Sequence, residues 1–304
     1  MTRPDDSTLS PQEYARVRQE AEKLLRAADA LGKFPTPVSV VMDAAKVTLA
    51  ADDVLDDGFL RSMRRKAGRA LRSALSKVLG LLDAREQMVF IDRAVQAVRQ
   101  TFLKLHETAH AVLPWQRTLY AVVEDGEQEL DPEIAEQFDR EANVFATEVL
   151  FQLDGFTTEA ADYEFGIRTP LKLQRKYGAS AYAAIRRYVS KNHRDCVVLV
   201  LDPPELTDGL GFRANLRRAA ASPSFRRKFD LDWPASFTPA DEIGAMVPPG
   251  QRRMSKARAI TLLDRNGVRH ECLAEAFATP FQVFVLVHVV RTLTRTTVIV
   301  RASA

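Results

Sequence analysis

The chain of 304 residues contains little cysteine, little net charge and no long apolar run. Its two cysteines, Cys196 and Cys272, lie far apart without metal-ligand spacing, which argues against a disulfide framework and predicts reduced thiols in a cytoplasmic protein. The net charge of +3 gives the whole molecule no strong electrostatic reason to coat nucleic acid. The apolar run from Val283 to Val290 is too short to span a bilayer, and residues 1–30 lack the apolar core of a signal peptide. These absences predict a soluble intracellular protein with no membrane partner.

Local patterns predict several helices and strands. Ser10-Pro11-Gln12-Glu13 has the form of a capping box and predicts a helix that runs to about Leu31. A strand is predicted over Gln87 to Asp92, a helix from about Val98 to Val112, and another from Pro132 to Leu153. The strand over Gln87 to Asp92 has two interpretations. It is either a free edge of a sheet, to which an extended substrate adds as a further strand, or a core strand.

The segment that carries chemistry is His106-Glu107-Thr108-Ala109-His110. In a helix, residues four positions apart lie on the same face, so His106 and His110 are able to hold one divalent metal. Glu107 is displaced by about 100° around the helix axis and is placed to act as a base near the metal. The spacing therefore predicts a catalytic zinc site. Such sites take three protein ligands and leave one position open, so a third ligand is needed besides the two histidines.

The third ligand is not fixed by periodicity. On the helix that follows, Glu141 and Glu148 lie at one margin of the apolar stripe, while Asp139 falls towards the opposite margin. Helical geometry therefore leaves Glu141 and Glu148 open as alternatives. For stabilisation of the oxyanion the candidates are Tyr120, Tyr163 and His193, and none of them is preferred.

Two basic segments, residues 61–77 and 170–193, raise the alternative of nucleic-acid binding. The second segment predicts two short helices around Gly178-Ala179-Ser180, an arrangement that is similar to a helix-turn-helix. For 61–77, the competing interpretation is an ordinary helix with a solvated basic face. For 170–193, it is a helical pair that packs as a structural subdomain. We favour the competing interpretation in both cases.

The C-terminal third is predicted to be rich in β-structure. Cys196 to Leu201 is a continuous apolar run that predicts a buried strand, and Asn266-Gly267 marks the turn of a hairpin. Further strands are predicted over 281–290 and 296–301. His270 and Cys272 are interpreted as packing and surface residues rather than as a second metal site.

The metal segment and its surroundings resemble the ImmA/IrrE metallopeptidases. In this chain HETAH is preceded by QTFLKL and followed about thirty residues later by EANVFATEVLF, and both parts match the family pattern. The resemblance covers residues from about 10 to 193 and implies that Glu141, the glutamate before the Ala-Asn pair, is the third ligand, with Glu148 as the fallback. Asn143 is a candidate hydrogen-bond partner of a ligand, and simple helix packing is the alternative for this residue. One departure is Thr108-Ala109, where many members have a glycine before the second histidine.

The resemblance implies an α+β protein in three parts. We expect a mostly helical, zincin-like metallopeptidase domain with a small sheet over 1–168. It is followed by a helix-turn-helix-like helical unit over 169–193. The C-terminal part, over 194–304, is expected to be an α+β or β-rich domain, and a sensory role is one interpretation of it. The expected function is that of a Zn²⁺-dependent endopeptidase in stress response and transcription regulation, whose protein substrate is a helix-turn-helix repressor. Glu107 is the expected catalytic base, and His106, His110 and Glu141 are the expected metal ligands. The rival is a DNA-binding regulator whose metal site is structural or vestigial.

Overall fold

The computed structural model describes seven stretches of the chain, namely residues 8–49, 80–83, 88–91, 97–119, 131–209, 211–248 and 253–293. They fall into two compact units, which we call the helical unit (the described parts of Asp6–Tyr163 and Leu171–Ala184) and the sheet unit (the described parts of Glu164–Pro170 and Ile185–Ala304). Helices and sheets in one chain agree with the predicted α+β class. The boundaries predicted for three domains stay predictions, and residues 169–193 contribute to both units. The basic segment 61–77 and the strand predicted over 296–301 lie outside the described residues.

The helical unit begins with α1 (Pro11–Ala27), α2 (Val38–Ala44) and a three-stranded sheet of β1 (Thr48–Leu49), β2 (Gly80–Asp83) and β3 (Met88–Ile91). The capping box is confirmed, because the Ser10 hydroxyl accepts from the Glu13 backbone N–H and the Glu13 carboxylate accepts from the Ser10 backbone N–H. The helix ends four residues earlier than predicted. Strand β3 pairs with β1 in parallel and with β2 in antiparallel orientation, and the order is β1-β3-β2.

The central position of β3 contradicts the free-edge hypothesis for this strand. Met88 and Val89 are paired on both sides, with Thr48 and Leu49 of β1 and with the end of β2. A substrate cannot add as a strand where both edges are already hydrogen-bonded. Over Met88 and Val89, the interpretation of this strand as a core strand is therefore correct.

Two long helices form the centre of the helical unit. These are α3 (Ala97–Val112) and α4 (Pro132–Leu150), which pack against each other, and α1 packs against α4. Helix α4 starts at Pro132 because the Asp131 carboxylate accepts from the Glu133 backbone N–H. It ends before the predicted Leu153, since Gln152 and Leu153 have φ angles of 54° and 58°, outside the helical region. Its buried stripe is the predicted one: Phe138, Ala142, Phe145, Ala146 and Val149.

The remaining helices follow α4. They are α5 (Gly155–Ala161), α6 (Arg168–Leu173) and α7 (Ala181–Ser190). Tyr177, between α6 and α7, is buried and joins Phe34, Phe151 and Phe156 in an aromatic cluster with ring centroids 4.8–6.1 Å apart. Among the helices that the structure describes, none combines the length and the apolar character needed to cross a lipid bilayer.

The sheet unit is built on an antiparallel sheet whose order is β5-β6-β4-β10-β9-β8. The strands are β4 (Cys196–Leu201), β5 (Glu205–Thr207), β6 (Gly211–Ala221), β7 (Ser236–Phe237), β8 (Arg258–Leu263), β9 (Arg269–Ala278) and β10 (Val283–Leu293), and β7 pairs with β6. Helix α8 (Pro223–Lys228) and a 3₁₀ helix (Gly244–Met246) lie between strands and bury Phe225 and Met246 in the core of this unit. The order places β4 and β10 in the interior of the sheet, and the residues of β4 and of the first half of β10 (283–287) are all buried, which fits the continuously apolar sequence of these two segments.

The hairpin predicted around Asn266-Gly267 is confirmed. Strands β8 and β9 pair from Leu263 and Arg269 outward, and Gly267 has a φ of 75°, in the region that favours glycine. Asp264 stabilises the turn, because its Oδ1 accepts from the backbone N–H groups of Asn266 and Val268. His270 is buried, with Nε2 3.1 Å from Asp264 Oδ2, which fits its interpretation as a packing residue.

A buried and an exposed leucine of the sheet unit provide a test of this fold. Leu199 of β4 is fully buried, whereas Leu206 of β5 is 93% exposed. We expect Leu199→Ala to lower the free energy of unfolding by about 2–5 kcal/mol, because it leaves a cavity in the core. The matched control Leu206→Ala should stay within about 0.5 kcal/mol of the parent protein. Urea denaturation measures both, and equal effects of the two substitutions would contradict the sheet order.

Candidate metal centre

The two histidines of the HETAH segment face each other on α3. Their rings lie 5.0 Å apart between centroids, with an interplanar angle of 79°, and the distance between His106 Nε2 and His110 Nε2 is 3.3 Å. His110 is buried and His106 is mostly buried, with 14% of its side chain exposed. The four-residue spacing has therefore produced the close pair of ring nitrogens that a shared metal requires.

Hydrogen bonds at the opposite ring nitrogens hold the orientation of both imidazoles. His106 Nδ1 is 3.1 Å from Asn143 Oδ1, and His110 Nδ1 is 2.7 Å from Gln116 Oε1. An amide oxygen only accepts hydrogen bonds, so each Nδ1 is assigned the proton and donates it. Burial lowers the pKa of His110 to about 4, so this ring is neutral at pH 7. Its Nε2 then presents a lone pair towards Nε2 of the other ring.

Two nitrogen lone pairs at this distance favour a cation that both can bind. Neutral imidazole nitrogens are common zinc ligands, and their second nitrogen is normally held by a hydrogen bond of the kind that Asn143 and Gln116 accept here. The residues therefore fit a divalent metal of the zinc type. The contact predicted for Asn143 is confirmed.

The carboxylate beside the histidines is Asp139. Its Oδ1 lies 4.0 Å from His106 Nε2, and single ligand atoms of His106, His110 and Asp139 lie within 4.8 Å of one another. Within the described parts of the chain, no other group of three or more such side chains is this close. Asp139 and Asn143 are four residues apart on α4 and share the face that meets the histidines. Asp139, which lies at the opposite margin of the apolar stripe from Glu141 and Glu148, is thus the α4 carboxylate next to the histidine pair.

Glu141, which the resemblance implies as the third ligand, is held in other contacts. Its side chain is 1% exposed, its Oε1 accepts from Arg16 at 3.0 Å, and its Oε2 accepts from Trp115 Nε1 at 2.6 Å and from Gln116 Nε2 at 2.7 Å. Because Glu141 follows Asp139 by two residues, its side chain is rotated by about 200° around the helix axis relative to that of Asp139. The structure thus does not bring Glu141 to the histidine pair.

The fallback ligand Glu148 is also held elsewhere. Its carboxylate accepts from the Tyr14 hydroxyl and, at 3.0 Å, from the Arg18 guanidinium, both on α1. Arg18 in turn pairs with Asp154. Two buried glutamates of α4 are therefore bound by side chains of the N-terminal helix, which satisfies charges that would otherwise be costly to bury.

Glu107, the predicted base, is buried beside the histidines on α3. Burial, followed by repulsion from the Asp139 charge, raises the pKa of Glu107 to about 8. A carboxyl group with a raised pKa is able to hold a proton near neutral pH, which is the property expected of a general acid and base. A cation bound by the neighbouring histidines would favour its ionised form.

Two of the three candidates for oxyanion stabilisation lie within the described residues. Tyr163 is 37% exposed in the helical unit and has the Lys172 ammonium 4.3 Å from its ring centroid, while His193 belongs to the sheet unit. Tyr120 lies outside the described residues. The role of oxyanion donor stays a prediction for each of the three.

Sequence reasoning missed Trp115, Gln116 and Arg16. Trp115 and Gln116 lie in a helical segment over 114–119 that directly follows α3. Arg16 lies 3.8 Å above the Trp115 ring, although the two are about a hundred residues apart in the chain. The sequence feature that could have predicted this segment is Pro114-Trp115-Gln116 shortly after α3. Proline favours the first position of a helix, so a new helix is expected to begin there, close to the site.

A family model matches the part of the chain that contains the histidine pair. Residues 69–188 match the family model described as Peptidase_M78, IrrE N-terminal-like domain, which is a metallopeptidase family. This match confirms the resemblance to the ImmA/IrrE family. Among solved structures, a Mycobacterium tuberculosis transcriptional regulator is similar with a TM-score of 0.50 and 14% identity, over 91% of this chain and 80% of that one. At that identity the similarity shows the fold alone. The search of curated proteins gave no significant match.

Metal binding tests the geometry of the pair directly. Metal-free protein should take up one Zn²⁺ or Co²⁺ per chain, and a metal at 100 times its dissociation constant should stabilise the fold by about 2.7 kcal/mol. His110→Gln should lose this stabilisation, because it removes one of the two facing ring nitrogens. Thermal unfolding with and without metal provides the measurement. Equal stabilisation of the parent protein and the variant would contradict the assignment.

Proposed function

Given that residues 69–188 match an IrrE N-terminal-like domain, we propose that the chain is a zinc-dependent endopeptidase of the ImmA/IrrE type. We further propose that it is a regulatory protease of the cytoplasm, which cleaves a partner protein such as a helix-turn-helix transcriptional repressor. The observation that carries the proposal is the pair of facing Nε2 atoms, 3.3 Å apart, with a buried glutamate next to one of them in sequence. A purely structural metal site has no need of a buried base.

His106 and His110 are the proposed zinc ligands, and Asp139 is the proposed third ligand in place of Glu141. Asp139 is the carboxylate whose oxygen comes within 4.0 Å of a ligand nitrogen, while both oxygens of Glu141 are occupied by three donors. Three protein ligands leave a fourth position for the reaction, as in catalytic zinc sites. Two free, buried cysteines agree with a reducing compartment.

The chemistry assigned to the protein itself is proton transfer and orientation. When bound, zinc supplies Lewis acidity, which polarises a peptide carbonyl and acidifies water. The Glu107 carboxylate accepts a proton from the attacking water and donates it to the nitrogen of the leaving amine. Asn143 and Gln116 hold the two imidazole rings through their Nδ1 protons, so that the rings keep their orientation during the reaction.

DNA reading by the helix-turn-helix-like segment receives less support. In a helix-turn-helix, the second helix needs an exposed face to enter the major groove. None of the ten residues of α7 is fully exposed, and Arg187 is 3% exposed. These observations favour the structural interpretation of this segment.

Replacement of the base tests the proposed reaction. Glu107→Gln should retain zinc and reduce cleavage by about 10²–10⁴-fold, because the amide cannot accept the proton. The assay incubates zinc-loaded protein with purified candidate helix-turn-helix repressors and follows fragments by mass spectrometry. Undiminished cleavage by the variant would refute the role of Glu107, and an absence of cleavage by the parent protein would refute the choice of substrate.

The choice of third ligand has its own test. Asp139→Asn should weaken zinc binding by at least about 100-fold, which is more than the loss expected for a residue that only supports a ligand. Glu136→Gln is the matched control, since Glu136 lies on the same helix with a side chain 66% exposed, close to the 67% of Asp139. Competition with a chromophoric chelator measures both affinities. Unaltered affinity in Asp139→Asn would remove Asp139 from the ligand set.

A further inference from the structure

We propose that Glu141 is a positioning residue, which fixes the orientation of the Gln116 amide and thereby presents His110 Nε2 to the metal. The inference rests on the proposed metal site, but it concerns zinc affinity and does not require that a protein substrate is cleaved. It gives a function to a buried carboxylate that lies close to the site without reaching the histidine pair.

The first step is the orientation of the Gln116 side chain. Gln116 is fully buried, and its Nε2 is 2.7 Å from Glu141 Oε2 and 3.3 Å from the Phe138 carbonyl oxygen. A carboxylate and a carbonyl oxygen only accept hydrogen bonds, so the NH₂ group of the amide must face them. With the NH₂ group on that side, Oε1 of Gln116 is turned towards His110.

The second step is the tautomer of His110. Gln116 Oε1 is 2.7 Å from His110 Nδ1, so this nitrogen carries the proton and Nε2 keeps its lone pair. The reversed amide would place NH₂ against Nδ1 and would favour the tautomer with its proton on Nε2. That proton would point towards His106 Nε2, 3.3 Å away, and would prevent His110 from binding a metal through Nε2.

The third step is what holds Glu141 itself. Arg16 of α1 donates to Oε1 at 3.0 Å, and Trp115 Nε1 donates to Oε2 at 2.6 Å. The Arg16 guanidinium also lies over the Trp115 ring, 3.8 Å from its centroid. These contacts fix the carboxylate from two sides and leave Oε2 directed at Gln116. A continuous set of hydrogen bonds thus connects α1 to a metal ligand.

The experiment measures the zinc affinity of the full-length, metal-free chain by chelator competition. Glu141→Gln should weaken zinc binding by about 10–100-fold, the range expected when the partner of a metal ligand is disturbed. The matched control is Glu148→Gln. Glu148 is an equally buried glutamate of the same helix, and its carboxylate accepts from an arginine and a tyrosine of α1. The control should change zinc affinity less than about threefold.

A second variant tests the route through Gln116. Gln116→Met keeps the side-chain length and removes the hydrogen bonds, so it should cause the same loss of about 10–100-fold. The double variant Gln116→Met/Glu141→Gln should be no weaker than Gln116→Met alone, since both changes interrupt one connection. If Glu141→Gln fails to fold, Gln116→Met still decides the matter, because wild-type affinity in that variant would overturn the proposal.

Two further results would overturn the inference. The first is a full addition of the two losses in the double variant, which would mean that Glu141 acts on the metal by another route, including direct ligation. The second is an equal loss of zinc affinity in Glu141→Gln and Glu148→Gln, which would mean that both substitutions weaken zinc binding by destabilising the fold in general. Nitrogen NMR of the His110 ring gives an independent readout: the proton should reside on Nδ1 in the parent protein and redistribute towards Nε2 in Glu141→Gln.

The outcomes also separate this inference from the proposed protease function. If zinc affinity follows the expected pattern and no partner is cleaved, the positioning role stands and the endopeptidase proposal fails. If a partner is cleaved while Glu141→Gln and Gln116→Met bind zinc like the parent protein, the endopeptidase proposal stands and the positioning role fails.

Discussion

The structure of the candidate metal centre depends on the contact between two imidazole rings whose Nε2 atoms face each other at 3.3 Å. When both Nε2 atoms carry a lone pair, this contact favours a cation between them. It is maintained by a buried amide oxygen on the far side of each ring, from Asn143 of α4 and from Gln116 beyond the end of α3. The packing of α3 against α4 therefore both creates the metal site and selects the protonation state that the site requires.

The N-terminal helix contributes to this centre without supplying a ligand. Arg16 and Arg18 of α1 each pair with a fully buried glutamate of α4, Glu141 and Glu148 respectively. Burial of a carboxylate is costly unless it is paired and hydrogen-bonded, so the two glutamates bind α1 tightly to α4. The pair of Arg16 with Glu141 extends through Gln116 to His110 of the site. The same polar contacts thus hold the helices together and orient the metal ligands.

Part of this arrangement follows from the sequence alone. The spacing of His106 and His110 determines their common face, because a helix repeats every 3.6 residues whatever surrounds it. The choice among Asp139, Glu141 and Glu148 does not follow, since it depends on the rotation of α4 about its own axis when it packs on α3. Gln116 is harder still to foresee, as its amide reaches back to the site only because Pro114 starts a new helical segment directly after α3.

The same distinction holds for the sheets. The β8–β9 hairpin is predictable, because Asn266-Gly267 determines the turn locally and the strands extend from it. The position of β3 is not, since its parallel partner Thr48–Leu49 comes from a distant part of the chain. Local patterns therefore predict the elements, while pairing and helix rotation, which decide the ligand set, require the folded structure.

The most direct test of the central claim is zinc X-ray absorption on the metal-loaded protein. The account predicts two imidazole nitrogens at about 2.0–2.1 Å and oxygen ligands at about 2.0–2.2 Å, one of them from a carboxylate. A spectrum without imidazole scattering, or one with sulfur at about 2.3 Å, would contradict it.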